Sequence, residues 1–390
     1  MKILIVHNDY GTYSGEEAVV DKMTAMFTAH GHEVVQLRMT SEGARDTFVG
    51  KMRGFFAGIY SLSGVKAMRE ALHREKPDVV NVHNLYPFIS PAALRECRKM
   101  GVPVVMTVHN FRLICPTGLF MRNGAPCELC LERGDEWNCV RYNCEHSLFK
   151  SAGYALRNAV ARITRAYKDN VDVFACITDF QRRKLEAAGF DSGRLTVIPN
   201  AADFSIDIEQ TEGEYVAFCG RLSREKGIDL IVSAARRHPD IEFRLAGAVR
   251  DKELVEDLPS NVHLEGYLSG ESLERFYRDA KFFVMASRCY EGFPMAIIEA
   301  ANYYKPTIAP DHGGFTEIVG SGEDACGLLF TPSDADSLSQ CIERLWNSPE
   351  EVLRFGRNAR AKLERQYSSE AVYKQWENLL KDIDKPHNIK

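Results

Sequence analysis

Two stretches of this chain share one grammar, and that repetition constrains its fold more than any other feature. Lys2-Ile-Leu-Ile-Val6 is a short apolar run, followed by a polar, glycine-bearing loop from His7 to Gly15 and a helical pattern over 16–30. Glu214-Tyr-Val-Ala-Phe-Cys219 is a second such run, followed by Gly220-Arg-Leu-Ser-Arg-Glu-Lys-Gly227 and a helical pattern from Ile228 onward. A strand that passes through a glycine loop into a helix is the opening unit of a doubly wound α/β domain. Further apolar runs alternate with helical patterns, at 79–82, 104–108, 173–177 and 195–198 in the first half and at 242–246, 262–264, 282–285 and 307–309 in the second. Strands that are apolar along their whole length are covered on both faces, which predicts mostly parallel sheets. With 390 residues and 45% hydrophobic content the chain is long enough for two such Rossmann-like domains. Pro199-Asn-Ala-Ala-Asp203 is the natural linker, dividing the chain into 1–198 and 199–368, with 369–390 as a terminal helix. Ligands of such domains bind at the carboxyl ends of the strands, here expected to face each other across a cleft.

The chemistry is carried by Glu291-Gly-Phe-Pro-Met-Ala-Ile-Ile-Glu299. Pro294 suits the first helical position, where its missing N–H costs nothing, and the apolar run that follows carries a helix inward. Glu291 is left in the preceding loop, while Glu299 falls a little over two turns along, so both carboxylates can face one ligand. Free N–H groups at such a helix start bind phosphate. Arg221 and Lys226 follow the second domain's first strand, where two cations can neutralise a diphosphate, the arginine through a planar fork and the lysine as a point charge. A phosphate flanked by hydroxyl-rich groups describes a nucleotide sugar.

The E-x7-E pattern, the G-R-L-x-x-E-K-G string and the order of elements resemble the retaining glycosyltransferases of family 4, which have the GT-B fold. The resemblance covers nearly the whole chain. It implies that Glu299 holds ribose hydroxyls, that Glu291 holds sugar hydroxyls, and that backbone around Gly292, Phe293 and Met295 meets the sugar and phosphate, Pro294 having no N–H to give. The backbone at Leu268, in Gly266-Tyr-Leu-Ser269, would recognise the nucleotide base. Ser14-Gly15-Glu16-Glu17 stands where the family has a Gly-Gly-x-Glu loop, so one glycine is replaced and Gly15 is the donor contact carried over. His109, directly after a strand in Thr107-Val-His-Asn110, matches the strand-end histidine that faces the donor sugar. His312-Gly-Gly-Phe-Thr-Glu317 resembles a later wall of the site, and the helix over 369–383 would return to the first domain through Tyr373, Trp376 and Leu379-Leu380.

The implied activity is transfer of a hexose-type sugar, with retention and no catalytic metal ion, to a glycan or lipid-linked acceptor in bacterial polysaccharide assembly. A nucleotide-sugar epimerase of GT-B shape is the nearest rival. A nicotinamide oxidoreductase is a more distant one, since the loop from His7 to Gly15 lacks G-x-G-x-x-G.

Eleven cysteines accompany an N-terminus that enters a strand at once, with no secretory signal and no run of 18 apolar residues. The cytoplasm is the default address, and thiols or metal ligands are expected in place of a disulfide framework. Five of the cysteines fall in an insertion over 111–147. Cys127-Glu-Leu-Cys130 is a knuckle that Cys115 and Cys144 can complete as a structural zinc site, with Cys139 or His146 as substitutes and metal-free thiols as the alternative.

Net charge is −5, but residues 1–200 hold 26 Lys+Arg against 21 Asp+Glu, while the remainder holds 23 against 33. No basic run interleaved with aromatics suggests nucleic-acid binding. The stretch 148–168 carries Lys150, Arg157, Arg162, Arg165 and Lys168 with no acidic residue before Asp169, which suggests peripheral contact with an anionic membrane at its inner face. The alternative is a helix that packs its apolar side internally and leaves its cations in water.

Overall fold

The computed structural model describes residues 1–10, 14–42, 47–203 and 208–384. The chain divides into two compact units. The first comprises 1–119, 128–201 and 372–390, and the second comprises 120–127 and 202–371.

The first unit holds a six-stranded sheet of β1 (Lys2–Asp9), β2 (Glu33–Thr40), β3 (Val79–Val82) and β4 (Val104–Val108), completed beyond the small hairpin β5 (Met121–Arg122) and β6 (Ala125–Pro126) by β7 (Val173–Cys176) and β8 (Leu195–Val197). Their order is β2-β1-β3-β4-β7-β8, and every pairing is parallel. Strands β3 and β4 are buried at every position, as continuous Val-rich runs require when helices cover both faces. β2, which the apolar-run criterion misses, is an edge strand, and its alternation of charged and apolar residues leaves none of its eight positions fully buried. The helix Gly15–Ala29 starts with a capping box in which the Ser14 side chain and Glu17 satisfy each other's backbone N–H groups. The terminal helix Ser369–Asp384 contributes Val372, Tyr373, Trp376 and Leu380 to the core formed by Ile3, Val20, Met23 and Phe27. Trp376 meets Phe27 edge-on at 5.5 Å.

The second unit holds β9 (Tyr215–Cys219), β10 (Phe243–Ala246), β11 (Val262–Gly266), β12 (Ala280–Val284), β13 (Thr307–Pro310) and β14 (Gly327–Phe330). Their order is β11-β10-β9-β12-β13-β14, again all parallel. Strand order reverses between β9 and β12, which opens a crevice at their carboxyl ends. The hairpin β5–β6 groups with this unit, Phe120 meeting Tyr290 edge-on at 6.1 Å, so the insertion over 111–147 is not housed wholly in the first unit.

Candidate active site

In the second unit the loops after β9 and β12 meet at the switch point. The chain leaves β9 through Gly220 and a turn of 3-10 helix, Arg224–Lys226, that ends on Gly227. Gly227 has φ +70°, and a Cβ there would lie 2.0 Å from the carbonyl oxygen of Ala286, so only glycine lets the two loops approach so closely. That approach sets the Lys226 ammonium 2.5 Å from Glu291, each side chain 17% exposed. Burial alone would pull the lysine pKa down and the carboxylate pKa up. Their mutual charge outweighs it, so Lys226 is raised, Glu291 is lowered, and both are ionised. Ser287 donates to the same Glu291 oxygen at 2.9 Å, and the Gly314 N–H donates to the Glu291 carbonyl at 3.0 Å. Arg221 is half exposed, 3.6 Å from Glu225, and its field reaches both members of the pair.

The helix Met295–Asn302 begins one residue later than the sequence suggests. Pro294 is its cap, with ψ 100° leaving it extended, and its carbonyl accepts from the Ile297 N–H at 3.1 Å. Proline fixes φ alone, so it fits a cap as readily as a first helical residue. Phe293 is buried edge-on to Tyr367 at 5.1 Å, which anchors the Gly292–Phe293 backbone. Glu299 accepts from the Tyr277 hydroxyl at 2.7 Å. Leu268 packs on the core that contains Tyr277, beside the exposed Tyr267. His312 is tied to the Ser287 carbonyl at 2.9 Å, and burial lowers its pKa.

In the first unit, His83 and His109 directly follow β3 and β4, and His7 lies two residues before the end of β1. His83 Nδ1 lies 2.6 Å from His109 Nε2, and His7 and His83 are edge-on at 6.3 Å. Burial holds His7 and His109 at about 4 and His83 well below its ordinary value, so all three are neutral near pH 7. A small hollow open to solvent is lined by His83, His109, Glu16, Asn110, Arg112 and Tyr167, among others. The Arg112 guanidinium donates to Asn84 Oδ1 at 3.2 Å and Tyr10 Oη at 3.4 Å, and Tyr10 donates to Glu16 at 2.8 Å. Arginine and carboxylate are thus joined through a phenol, leaving a polar hollow suited to hydroxylated ligands. Gly15 is the exposed first residue of its helix, and residues 11–13 of the preceding loop lie outside the described residues.

Residues 13–205 match the family described as Glycosyltransferase Family 4, and residues 201–362 match Glycosyl transferases group 1. The chain belongs to these glycosyltransferases. The alpha-D-kanosaminyltransferase of Streptomyces kanamyceticus is 26% identical over 353 residues, 83% of this chain and 82% of that protein. The mannosylfructose-phosphate synthase of Agrobacterium fabrum is 35% identical over 169 residues, 38% of this chain and 37% of the relative. Among solved structures, sucrose-phosphate synthase from Thermosynechococcus elongatus superposes with a TM-score of 0.73 at 17% identity, covering 98% of each chain. Anabaena HepE in complex with UDP and glucose gives 0.68 at 16% identity, covering 98% of this chain and 100% of that one. The fold is GT-B.

In this glycosyltransferase Arg221, Lys226, Glu291, Gly292, Phe293, Pro294, Met295, Glu299 and Leu268 all belong to the second unit, and Gly15 and His109 to the first. Sequence reasoning misses His83, although a signal for it exists: Val82-His83-Asn84 repeats the Val108-His109-Asn110 string at the end of the neighbouring strand. It also misses Asn84 and Arg112, which carry no motif of their own, and quotes Glu16 only as part of the Ser14-Gly15-Glu16-Glu17 loop.

Cys115, Cys130, Cys139 and Cys144 lie near one another in the first unit, the grouping in which Cys139 substitutes for Cys127. Cys139, buried, is hydrogen-bonded to the Cys144 thiol, and this, with burial and the nearby Cys115 and Cys130, raises its pKa. Cys127 belongs to the second unit. Among the described residues, the group of three or more potential metal ligands whose ligand atoms all lie within 4.8 Å of one another is His7, Asp9 and Glu17. Glu17 there accepts from the N–H groups of Ser14 at 2.6 Å and Tyr10 at 3.3 Å, and Asp9 faces Arg38 at 3.7 Å.

The basic stretch 148–168 is likewise used inside the first unit. Arg157 is buried between the rings of Tyr86 and Tyr154, Arg162 pairs with Glu136 at 2.9 Å, Arg165 pairs with Asp169 at 2.9 Å, and Lys168 donates to the Gly189 carbonyl at 2.6 Å. Of the five cations Arg157 is buried, while Lys150, Arg162 and Arg165 remain exposed. No helix among the described residues is long and apolar enough to cross a membrane.

Proposed function

We propose that this glycosyltransferase moves a hexose-type sugar from a nucleoside-diphosphate sugar to a glycan or lipid-linked acceptor, with retention and without a catalytic metal ion, in polysaccharide assembly. The observation that carries the reading is the Lys226–Glu291 pair at the switch point of the second sheet, with Arg221 in electrostatic reach and a helix starting four residues on. Breaking the sugar–phosphate bond develops positive charge on the sugar and negative charge on the leaving diphosphate. Lys226, Arg221 and backbone N–H groups are fixed donors that stabilise the departing oxygens without reorganisation. Glu291 orients sugar hydroxyls and favours the developing positive charge, Glu299 holds the ribose, and Leu268 borders the base. The acceptor hydroxyl attacks from the face that the phosphate leaves, whose oxygen takes its proton. His109 hydrogen-bonds the sugar.

The test is a screen of the purified full chain with uridine and guanosine diphosphate sugars, following nucleoside diphosphate release and the anomeric configuration of the product by NMR. Retained configuration and turnover in excess chelator are the expected results. Inverted product, loss of activity on chelation, or epimerised sugar in the absence of acceptor would each replace the corresponding part of the reading.

A lipid-linked acceptor is favoured by one surface of the first unit. The Phe55 and Phe149 rings stack at 5.0 Å, and Phe56, Leu148 and Phe149 beside them are 58%, 64% and 50% exposed, with Arg53 and Lys150 in solvent. Aromatic residues with cations and no acid in the segment suit an anionic membrane surface. Replacing both Phe56 and Phe149 with serine should abolish sedimentation with anionic vesicles, while Arg162→Gln and Arg165→Gln should leave it intact. The opposite pattern rejects this surface.

A further inference from the structure

His83 is 3% exposed, sits one strand away from His109, and has no assigned task in the reaction. Its ring centroid is 4.9 Å from that of His109, and the planes differ by only 17°. With Nδ1 and Nε2 at 2.6 Å, that separation is the one expected when the two imidazoles lie edge to edge in nearly one plane. The contact is therefore an in-plane N–H···N hydrogen bond, not a face-to-face stack.

Two neutral imidazoles sharing one such bond have two possible arrangements, and the surroundings distinguish them. If His109 Nε2–H donated, the proton of His83 would lie on its Nε2, which is buried without any partner. A sealed N–H with no acceptor is the costlier state, whereas a bare lone pair is tolerated more often. If His83 Nδ1–H donates instead, only that lone pair is left, and His109 carries its own proton on Nδ1. Among the described residues His109 Nδ1 has no partner within the chain, and the partly buried ring lines the hollow.

We propose that His83 is a positioning residue that locks His109 in the Nδ1–H tautomer and fixes its ring angle, so that His109 offers the transferred sugar a hydrogen-bond donor and does not act as a base. The inference rests on the reading that His109 contacts that sugar. Hydroxyl oxygens, not hydroxyl protons, are then what His109 recognises, and fixing the donor before the sugar arrives removes the cost of choosing a tautomer during the reaction.

The test combines a spectrum with kinetics on the full-length protein. With 15N-labelled histidine, long-range 1H–15N correlation near neutral pH should show His109 protonated at Nδ1, its signals assigned by their loss in His109→Gln. His83→Ala should mix the tautomers and lower kcat roughly tenfold or more, with the KM for the nucleotide sugar within about threefold. His83→Asn, whose amide can supply the lost N–H, should recover most of kcat. An Nε2–H tautomer of His109 in the native protein, or an unchanged kcat in both His83 variants, overturns the role given to His83. Full turnover by His109→Gln overturns instead the placement of His109 at the sugar, and leaves the native spectrum as it was. Should His83→Ala fail to fold, the native spectrum and the asparagine variant still decide.

Discussion

The two sheets end in polar clusters of opposite electrical character. In the second unit a partly buried ammonium is answered by a partly buried carboxylate, Lys226 by Glu291, and both stay charged. In the first unit three histidines, His7 near the end of β1 and His83 and His109 just after β3 and β4, are answered by burial, and stay neutral. The loops of the second unit can therefore hold a diphosphate without needing a proton transfer. Those of the first are suited to sugar hydroxyls, where a fixed hydrogen-bond direction matters more than charge. The same α/β scaffold supplies both, because the carboxyl ends of parallel strands bring several loops to one crevice whatever those loops contain.

The strongest way to break this contrast is to remove one charge from the second unit. Lys226→Ala should lower kcat/KM by an amount equivalent to about 2–4 kcal/mol of transition-state stabilisation, and Arg221→Ala should also impair transfer. Lys226→Ala strands Glu291, so its melting point should fall too, and Glu291→Gln in the same chain should restore melting without restoring transfer. Near-normal turnover of a folded Lys226→Ala variant would show that the pair is structural.

Acid should act chiefly on the first unit. The folded pKa of His7 and of His109, about 4, lies below the 6.5 of an unpaired histidine, so the unfolded chain binds more protons between those values. Their contribution to stability is complete above pH 6.5, declines as pH falls, and is lost by about pH 4, at a limiting slope of about 1.4 kcal/mol per pH unit for each histidine. Amide hydrogen exchange should show β1, β3 and β4 losing protection on acidification from pH 7 to 5 before β9 and β12 do. Equal loss in both sheets would dissolve the contrast.

The smallest effect expected is that of Tyr277→Phe. It removes the hydroxyl that donates to Glu299 at 2.7 Å, and should weaken donor binding by about 1 kcal/mol with little change in kcat. A fall in kcat with unchanged donor KM would mean that Glu299 acts on the reacting bond rather than on the donor's distal end.

Much of the second unit is legible in the chain's residues alone. Glu291, Glu299, Arg221 and Lys226 lie in two short strings, and short strings are what a sequence displays. What the strings do not display is that Lys226 and Glu291, 65 positions apart, are an ion pair, or that Gly227 is required by the Ala286 carbonyl. In the first unit His109 and Gly15 stand out from the sequence, but the partners of His109 do not, because they come from separate strands. His83 and His7 become neighbours of the hollow only when β1, β3 and β4 lie side by side. The contacts made within the basic and cysteine-rich stretches are hidden from the sequence for the same reason. A run of cations says nothing of Glu136, Asp169 or the rings around Arg157, and cysteine spacing does not reveal that Cys139 meets Cys144.

The sequence by itself determined the parallel sheets, the glycine loops and the charged strings of the second site, since apolar period, turn chemistry and side-chain charge are local properties. Only the tertiary structure decided which charges are paired, which histidines are neutral and which thiols meet. Those outcomes depend on burial and on contacts between residues far apart in the chain, and a strand's neighbours are set by packing rather than by its own residues.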